Sequence, residues 1–182
     1  GGLTANFVAG NQPDQELISE PGNAAGLITV AAFASKSGWT DCNGNATSYL
    51  GAPPIGAIAN FSSSGPTRDG RQKPDIAAPG TPIASTISTD VYTSCPGGSS
   101  TLLGDAVSHI VDQGTSMAAP HVSGAVALLL QNFGAQTPAQ IKSYLKAHAI
   151  TDGQTGTGTA WNKDWGNGKL FLDGSVETLV SL

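Results

Sequence analysis

Apolar and polar positions fall in blocks along this chain, and the longest apolar block starts at Met117. Residues 117–130 carry no charge and read Met-Ala-Ala-Pro-His-Val-Ser-Gly-Ala-Val-Ala-Leu-Leu-Leu before the chain turns polar at Gln131-Asn132. A surface helix shows an apolar stripe, whereas one that is apolar nearly all round is buried on most sides. The block therefore predicts a central buried helix, entered through Gly114-Thr115 with Thr115 as its cap. A second helix opens at Thr137-Pro138, with Thr137 as cap and Pro138 at the first helical position. Ile141, Tyr144, Leu145 and His148 recur on one face of it and Lys142 and Lys146 lie off that face, so His148 reads as a packed or snorkelling residue and not as a catalyst.

Strand signals precede both helices. Residues 6–9 form a short apolar run that ends in the breaker cluster Gly10-Asn11-Gln12-Pro13-Asp14. Residues 27–32 are a continuous β-rich run, as expected of a parallel strand covered on both faces. Residues 57–61 and 83–86 predict two further strands, and residues 34–56 and 87–113 predict loops. The charges Arg68, Asp69, Arg71, Lys73 and Asp75 predict a solvated loop whose members pair with each other. No internal repeat is present. The pattern is that of an α/β protein in one domain, residues 1–182.

Composition narrows the function classes. With 182 residues, eight Lys and Arg and a net charge of -5, the chain has no electrostatic footprint for nucleic acid or an anionic membrane. No apolar run approaches the ~20 residues that span a bilayer. No signal-peptide pattern opens the sequence, so secretion requires a processed or trimmed start. Cys42 and Cys95 each sit in a polar loop rich in Gly, Asn or Pro, and neither has metal-finger partners at the right spacing. A disulfide between them is the favoured reading and implies an oxidising compartment. Two free surface thiols, or a partner outside the chain, stay open. Asp41, Asn43 and Asn45 alternate as in calcium loops but lack the carboxylate pattern of an EF-hand. No cofactor is required, and a structural calcium is left open without assigned residues.

Candidate chemistry centres on Ser116, a hydroxyl in the first turn of the predicted central helix. Free backbone N–H groups and the positive end of the dipole converge there, which suits an oxygen nucleophile and the oxyanion that it generates. Capping alone also places serines at helix starts. Pro120 cannot donate to the Ser116 carbonyl and bends the first turn. A serine hydrolase further needs a base and a carboxylate to orient it. His121 lies five residues on, ~140° round the helix, and cannot reach the hydroxyl. His109 sits in the predicted loop near Asp105 and Asp112 and makes a poor triad.

Gly114-Thr115-Ser116-Met117-Ala118-Ala119-Pro120-His121-Val122-Ser123-Gly124 resembles the nucleophile signature of the subtilisin-like serine proteases, the subtilases. It is not the Gly-x-Ser-x-Gly elbow of esterase-type hydrolases, since Gly114 and Ala118 flank Ser116 at two residues. Phe7-Val8-Ala9-Gly10-Asn11 resembles the segment whose asparagine donates to the oxyanion; by composition alone Asn11 is a turn residue. The serine-rich turn at residues 62–65, the Lys73-Pro74-Asp75-Ile76-Ala77-Ala78-Pro79-Gly80 stretch and the tail from Asp164 match in order. The resemblance implies a three-layer fold with a parallel sheet and a buried central helix, present as its C-terminal half. It implies Ser116 as nucleophile, Asn11 as oxyanion donor, and Gly10, Ser19, Glu20 and Pro21 at the pocket for the residue before the cut bond. Glu20-Pro21 is then a cis candidate, and Glu20 otherwise reads as an exposed loop carboxylate. It also implies a polypeptide substrate, a secreted enzyme, a glycine-bearing turn and closing helix at the end of the chain, and a leaving-group side bordered by residues 87–113. The catalytic aspartate and histidine would come from an N-terminal part, without which the sheet exposes an apolar edge. The alternative is a non-catalytic half used in binding or assembly.

Overall fold

Two parallel strands carry the fold. In the computed structural model, which describes residues 16–172 apart from 89, 92, 93, 96, 99, 105–107, 157 and 159, β1 (Val30–Ala34) pairs with β4 (Ile76–Thr81). Their register sets Ala31 opposite Ala77 and Ala32 opposite Ala78. Side chains alternate across a strand, so each pair faces one side of the sheet. Ala32 and Ala78 pack into a core with Ala118, Val122, Leu129, Ile141 and Leu145 of the two helices. Ala31 and Ala77 pack on Trp165, with Phe33 and Ile58 beside it. Both faces of β1 are thus covered, as expected, although the strand runs from Val30 to Ala34 and not over 27–32, and the layers are helices, sheet and a tryptophan-centred loop layer.

The sheet edges are closed locally. Ala57 and Ala59 exchange backbone bonds with Ala34 and Ala32 through Ala34 N→Ala57 O (2.9 Å) and Ala59 N→Ala32 O (2.8 Å). The expected strand over 57–61 is consequently reduced to a single antiparallel bridge, Phe33 to Ile58. On the far side, Ala77 exchanges bonds with Gly168 and Leu170. The anticipated apolar edge is therefore not bare along Ala32–Ala34, because residues 56–59 occupy it.

Two antiparallel ribbons complete the strands. β2 (Trp39–Thr40) pairs with β3 (Ala46–Thr47), and β5 (Ile83–Thr86) with β6 (His109–Asp112). β6 lies inside the stretch expected to be loop and places His109 opposite Thr86. The disulfide Cys42–Cys95, with Cα atoms 5.8 Å apart, ties the β2–β3 ribbon to the loop after β5. For a sequence separation of 53 residues, closing that loop contributes about 4 kcal/mol in the chain-entropy view. Beside it Asp41 is buried, accepting from the N–H groups of Asn43 (2.9 Å), Asn45 (2.8 Å) and Ser100 (3.0 Å). Its carboxylate oxygens are thus turned to peptide donors.

Helix α1 (Thr115–Phe133) packs on β1 and β4, and α2 (Pro138–His148) packs beside it. α2 begins as expected, with a capping box in which Thr137 accepts from Gln140 N and the Gln140 side chain accepts from Thr137 N. His148 stacks on Tyr144 at 3.9 Å, a packed residue as predicted. The cap of α1 differs from expectation: Gly114 holds that position with φ 155°, Thr115 is already helical, and no side chain caps. Gly114 N donates to Gly80 O at 2.9 Å. A Cβ on Gly80 would lie 2.5 Å from Ala32 Cβ and 3.0 Å from Gly114 O, so this crossing of strand and helix entry requires glycine. The helix runs through Pro120 and, where burial on most sides was expected, buries one stripe among the described residues: Ala118, Val122, Ala125 and Leu129. Among the described residues nothing covers the opposite stripe. The strand expected over residues 6–9 and the closing helix lie outside the described residues.

Candidate active site

Ser116 is exposed at the second residue of α1. The Gly114 carbonyl takes the N–H groups of Met117 (3.0 Å) and Ala118 (3.3 Å). The Thr115 and Ser116 N–H groups, first in the helix, are left without an intrahelical acceptor. The first turn contains no acidic side chain to neutralise the positive end of the dipole. A hydroxyl and a free N–H from one residue therefore share the mouth of a cleft of about 520 Å³. Its lining includes Ser19, Glu20 and Pro21, the segment Leu27, Ile28 and Thr29, then Ser63 and Pro74, and Thr115, Ser116 and Ala119 of the helix. That volume suits a small ligand or one side chain of a larger one.

The first wall is a tight turn built around the cis Glu20-Pro21 bond, cis as expected. Asn23 N donates to Ser19 O (3.1 Å), Ala24 N to Pro21 O (3.0 Å), and the Thr29 hydroxyl to Gly22 O (2.5 Å). Leu17 N donates to Ser64 O at 2.9 Å, which ties this turn to the serine-rich segment. There Gly65 meets the backbone of Lys73 so closely that a Cβ would fall 1.6 Å from Lys73 O. Gly65-Pro66 and Lys73-Pro74 are also cis, which sequence reading missed.

Behind the cleft the expected solvated loop is in part buried. Arg71 and Asp69 pair at the surface at 2.8 Å, as predicted. Lys73 does not: its side chain is 3% exposed, and its ammonium reaches Asp75 Oδ2 and Leu27 O, each at 2.5 Å. Asp75 Oδ2 also accepts from Thr29 N at 2.7 Å. Burial pushes the Lys73 ammonium below the ordinary lysine value; Asp75 pulls it back up, and Lys142 nearby adds to the lowering. The alternation Lys73, Asp75 just ahead of β4 was the available signal, since residues two apart on extended chain share a face.

Ser116, Ser19, Glu20 and Pro21 thus meet in one cleft, whereas Cys42 and Cys95 join elsewhere. Gly10 and Asn11 lie outside the described residues. No histidine is among the described residues lining the cleft. His121 turns its Nδ1 back to Met117 O at 2.8 Å, and His109 and His148 belong to β6 and α2. Among the described residues no group of three His, Cys, Asp or Glu side chains could hold a metal ion, and no helix is long and apolar enough to cross a membrane.

A serine at the amino end of the central helix, beside a cis-proline turn, is the arrangement that the sequence signature implies. Residues 2–168 match the model of the subtilase family. This chain belongs to the subtilases. A relative in Bacillus subtilis, serine protease AprX, is 37% identical over 146 residues, covering 80% of this chain and 30% of AprX. An uncharacterized protein of Aquifex aeolicus, aq_aa18, is 38% identical over 135 residues, 74% of this chain and 55% of that protein. Among solved structures, the CspB protease of Clostridium perfringens matches with a TM-score of 0.59 and 28% identity, over 92% of this chain and 30% of that one. This subtilase chain spans about half the length, or less, of the relatives it matches.

Proposed function

We propose that this chain supplies the nucleophile, the oxyanion hole and the specificity pocket of a subtilisin-like serine endopeptidase. The observation that carries the reading is Ser116 at the mouth of the cleft, its hydroxyl and its helix-terminal N–H side by side. The Ser116 hydroxyl attacks a peptide carbonyl while a histidine takes its proton. The oxyanion is held by the Ser116 N–H and, by family resemblance, by the Asn11 side chain. Collapse expels the amine, which receives the proton from the same histidine. Water then attacks the acyl-enzyme and releases Ser116. Ser19, Glu20 and Pro21 border the residue before the cut bond, and Gly10 joins them by family resemblance.

The histidine and the aspartate that orients it come from an N-terminal part of the same catalytic domain. The uncovered stripe of α1 supports this partnership, since an apolar helix face is normally packed against something. The substrate is a polypeptide, with neither nucleic acid nor membrane as partner. The disulfide favours an oxidising, extracellular setting. No cofactor enters the mechanism, and a calcium ion is given no residues. The test is intact mass under denaturing conditions, before and after a fluorophosphonate probe. A single adduct mapped to Ser116 and lost in Ser116→Ala is expected. An unlabelled Ser116 in the full-length protein, with a control protease reacting, would replace this reading with a non-catalytic binding or assembly half.

A further inference from the structure

The Lys73–Asp75 pair, its lysine buried and its carboxylate partly exposed, is not itself part of the cleft lining, and its contacts reach main-chain groups that are. One carboxylate oxygen, Asp75 Oδ2, holds both the Lys73 ammonium and Thr29 N, while the ammonium holds Leu27 O. Two of these contacts bind residues 27–29 to residues 73–75, and Asp75 N adds a third by donating to Thr29 O at 2.8 Å. Leu27, Ile28, Thr29 and Pro74 all line the cleft. Thr29 is fixed a second time, since its hydroxyl bonds Gly22 O in the cis-proline turn. The backbone of Lys73 is itself locked against Gly65, where a side chain cannot fit.

We propose that Lys73 is a positioning residue that sets the width and shape of the pocket for the residue before the cut bond, a role that rests on the peptidase reading above. An ion pair with its ammonium buried is a poor device for stability alone, because desolvation of that charge offsets much of the Coulomb attraction, and apolar replacements of buried pairs are often neutral or better. Its strength lies in direction: charge-assisted hydrogen bonds are short and hold their partners in fixed geometry. Here the partners held are main-chain groups of the wall. A second cation, Lys142 of α2, lies 3.5 Å from Asp75 Oδ1 and donates to Ala25 O at 2.9 Å. It braces the outer end of the same segment but, being partly exposed, does not replace Lys73 at Leu27.

The experiment uses the full-length protein, wild type and Lys73→Met, with three readouts: fluorophosphonate labelling, hydrogen exchange, and kinetics on peptides that vary the residue before the cut bond from glycine to a bulky side chain. In Lys73→Met the Thr29 amide is expected to exchange roughly tenfold faster than in wild type, with α2 amides unchanged. KM is expected to rise roughly tenfold for the bulky residue with kcat within about twofold, and the glycine peptide is expected to be unaffected. Labelling of Ser116 by the small probe stays at the wild-type rate. Unchanged Thr29 exchange together with an unchanged bulky-to-glycine ratio overturns the proposal. So does a uniform loss across all peptides and all amides, the mark of a merely structural residue. If wild-type Ser116 takes no label, the peptidase reading fails by itself. Thr29 exchange then decides alone: local acceleration retains Lys73 as the residue that shapes the cleft wall, and no change removes it.

Discussion

The two faces of α1 are built from nearly the same kinds of residue and have opposite fates. Ala118, Val122, Ala125 and Leu129 are buried against β1, β4 and α2. Ala119, Pro120, Ser123, Ala127 and Leu130 are exposed among the described residues. The polar groups on the bare side are satisfied by the helix itself, with His121 Nδ1 on Met117 O and Ser123 Oγ donating to Ala119 O at 3.2 Å. Such a face offers an incoming surface close packing with few hydrogen bonds to break. Composition tells how much apolar surface a helix carries; which side is filled depends on what the rest of the chain brings to it.

Leu129 and Leu130 give this comparison its sharpest form, being adjacent and chemically identical. Leu129 is fully buried and Leu130 is 39% exposed. Leu129→Ala should cost about 2–5 kcal/mol through lost burial and the cavity left behind. Leu130→Ala should change the stability of this chain by no more than about 0.5 kcal/mol. Denaturant unfolding of both variants reads the pair. Equal losses would mean that the bare face is already covered in solution. Adding the N-terminal part should then raise the cost of Leu130→Ala towards that of its neighbour, if it is what covers this face.

A second way to strain the contrast is to disturb the buried side at its entry. Gly80→Ala places a methyl against Ala32 Cβ and the Gly114 carbonyl, backbone and core atoms with little room to yield. A cost of about 1–3 kcal/mol is expected from overpacking. Because Gly114 precedes Ser116 by two residues, probe labelling of Ser116 should slow as well. Stability lost with labelling unchanged would show that the helix entry does not position the nucleophile.

Much of this architecture was legible in the sequence wherever the decisive physics is local. The Thr137-Pro138 start and its capping box need four residues, and the apolar run over 27–32 locates β1 to within three residues. The cap of α1 is not legible locally, since the Gly114–Gly80 contact that sets the helix entry spans 34 residues. Lys73 reads as solvated in the sequence because local charge density says nothing of the fold that closes over it, and the strand expected over 57–61 is reduced to a bridge on the edge of β1 that it covers. At the candidate site, Ser116 and the turn at Ser19, Glu20 and Pro21 were legible through resemblance. Leu27, Thr29 and Ser63 were not, as nothing in their types distinguishes cleft lining from core.

Smaller effects are expected where a region is satisfied wholly within the chain. Thr137→Ala removes the oxygen that accepts from Gln140 N and should cost about 1 kcal/mol, by thermal melting. That loss should be the same with or without the N-terminal part, in contrast to Leu130→Ala.

Asp41 extends the same test into pH. Burial pushes its carboxyl up, but the N–H groups of Asn45, Ser100 and Asn43 outweigh that effect and hold it below the ordinary carboxylate value. A carboxyl whose folded value lies below its unfolded value of about 3.9 favours folding when ionised. Its contribution is complete at pH values well above 4 and is lost as pH falls through the lower, folded value. Wild-type melting temperature should therefore drop more steeply below pH 4 than that of Asp41→Asn, so that the gap between the two narrows on acidification. Parallel melting curves from pH 6 down to pH 2 would show that this loop does not depend on the ionised carboxylate. Since all of Asp41's partners lie in this chain, the acid response should keep its shape when the N-terminal part is added, whereas the cost of Leu130→Ala should not.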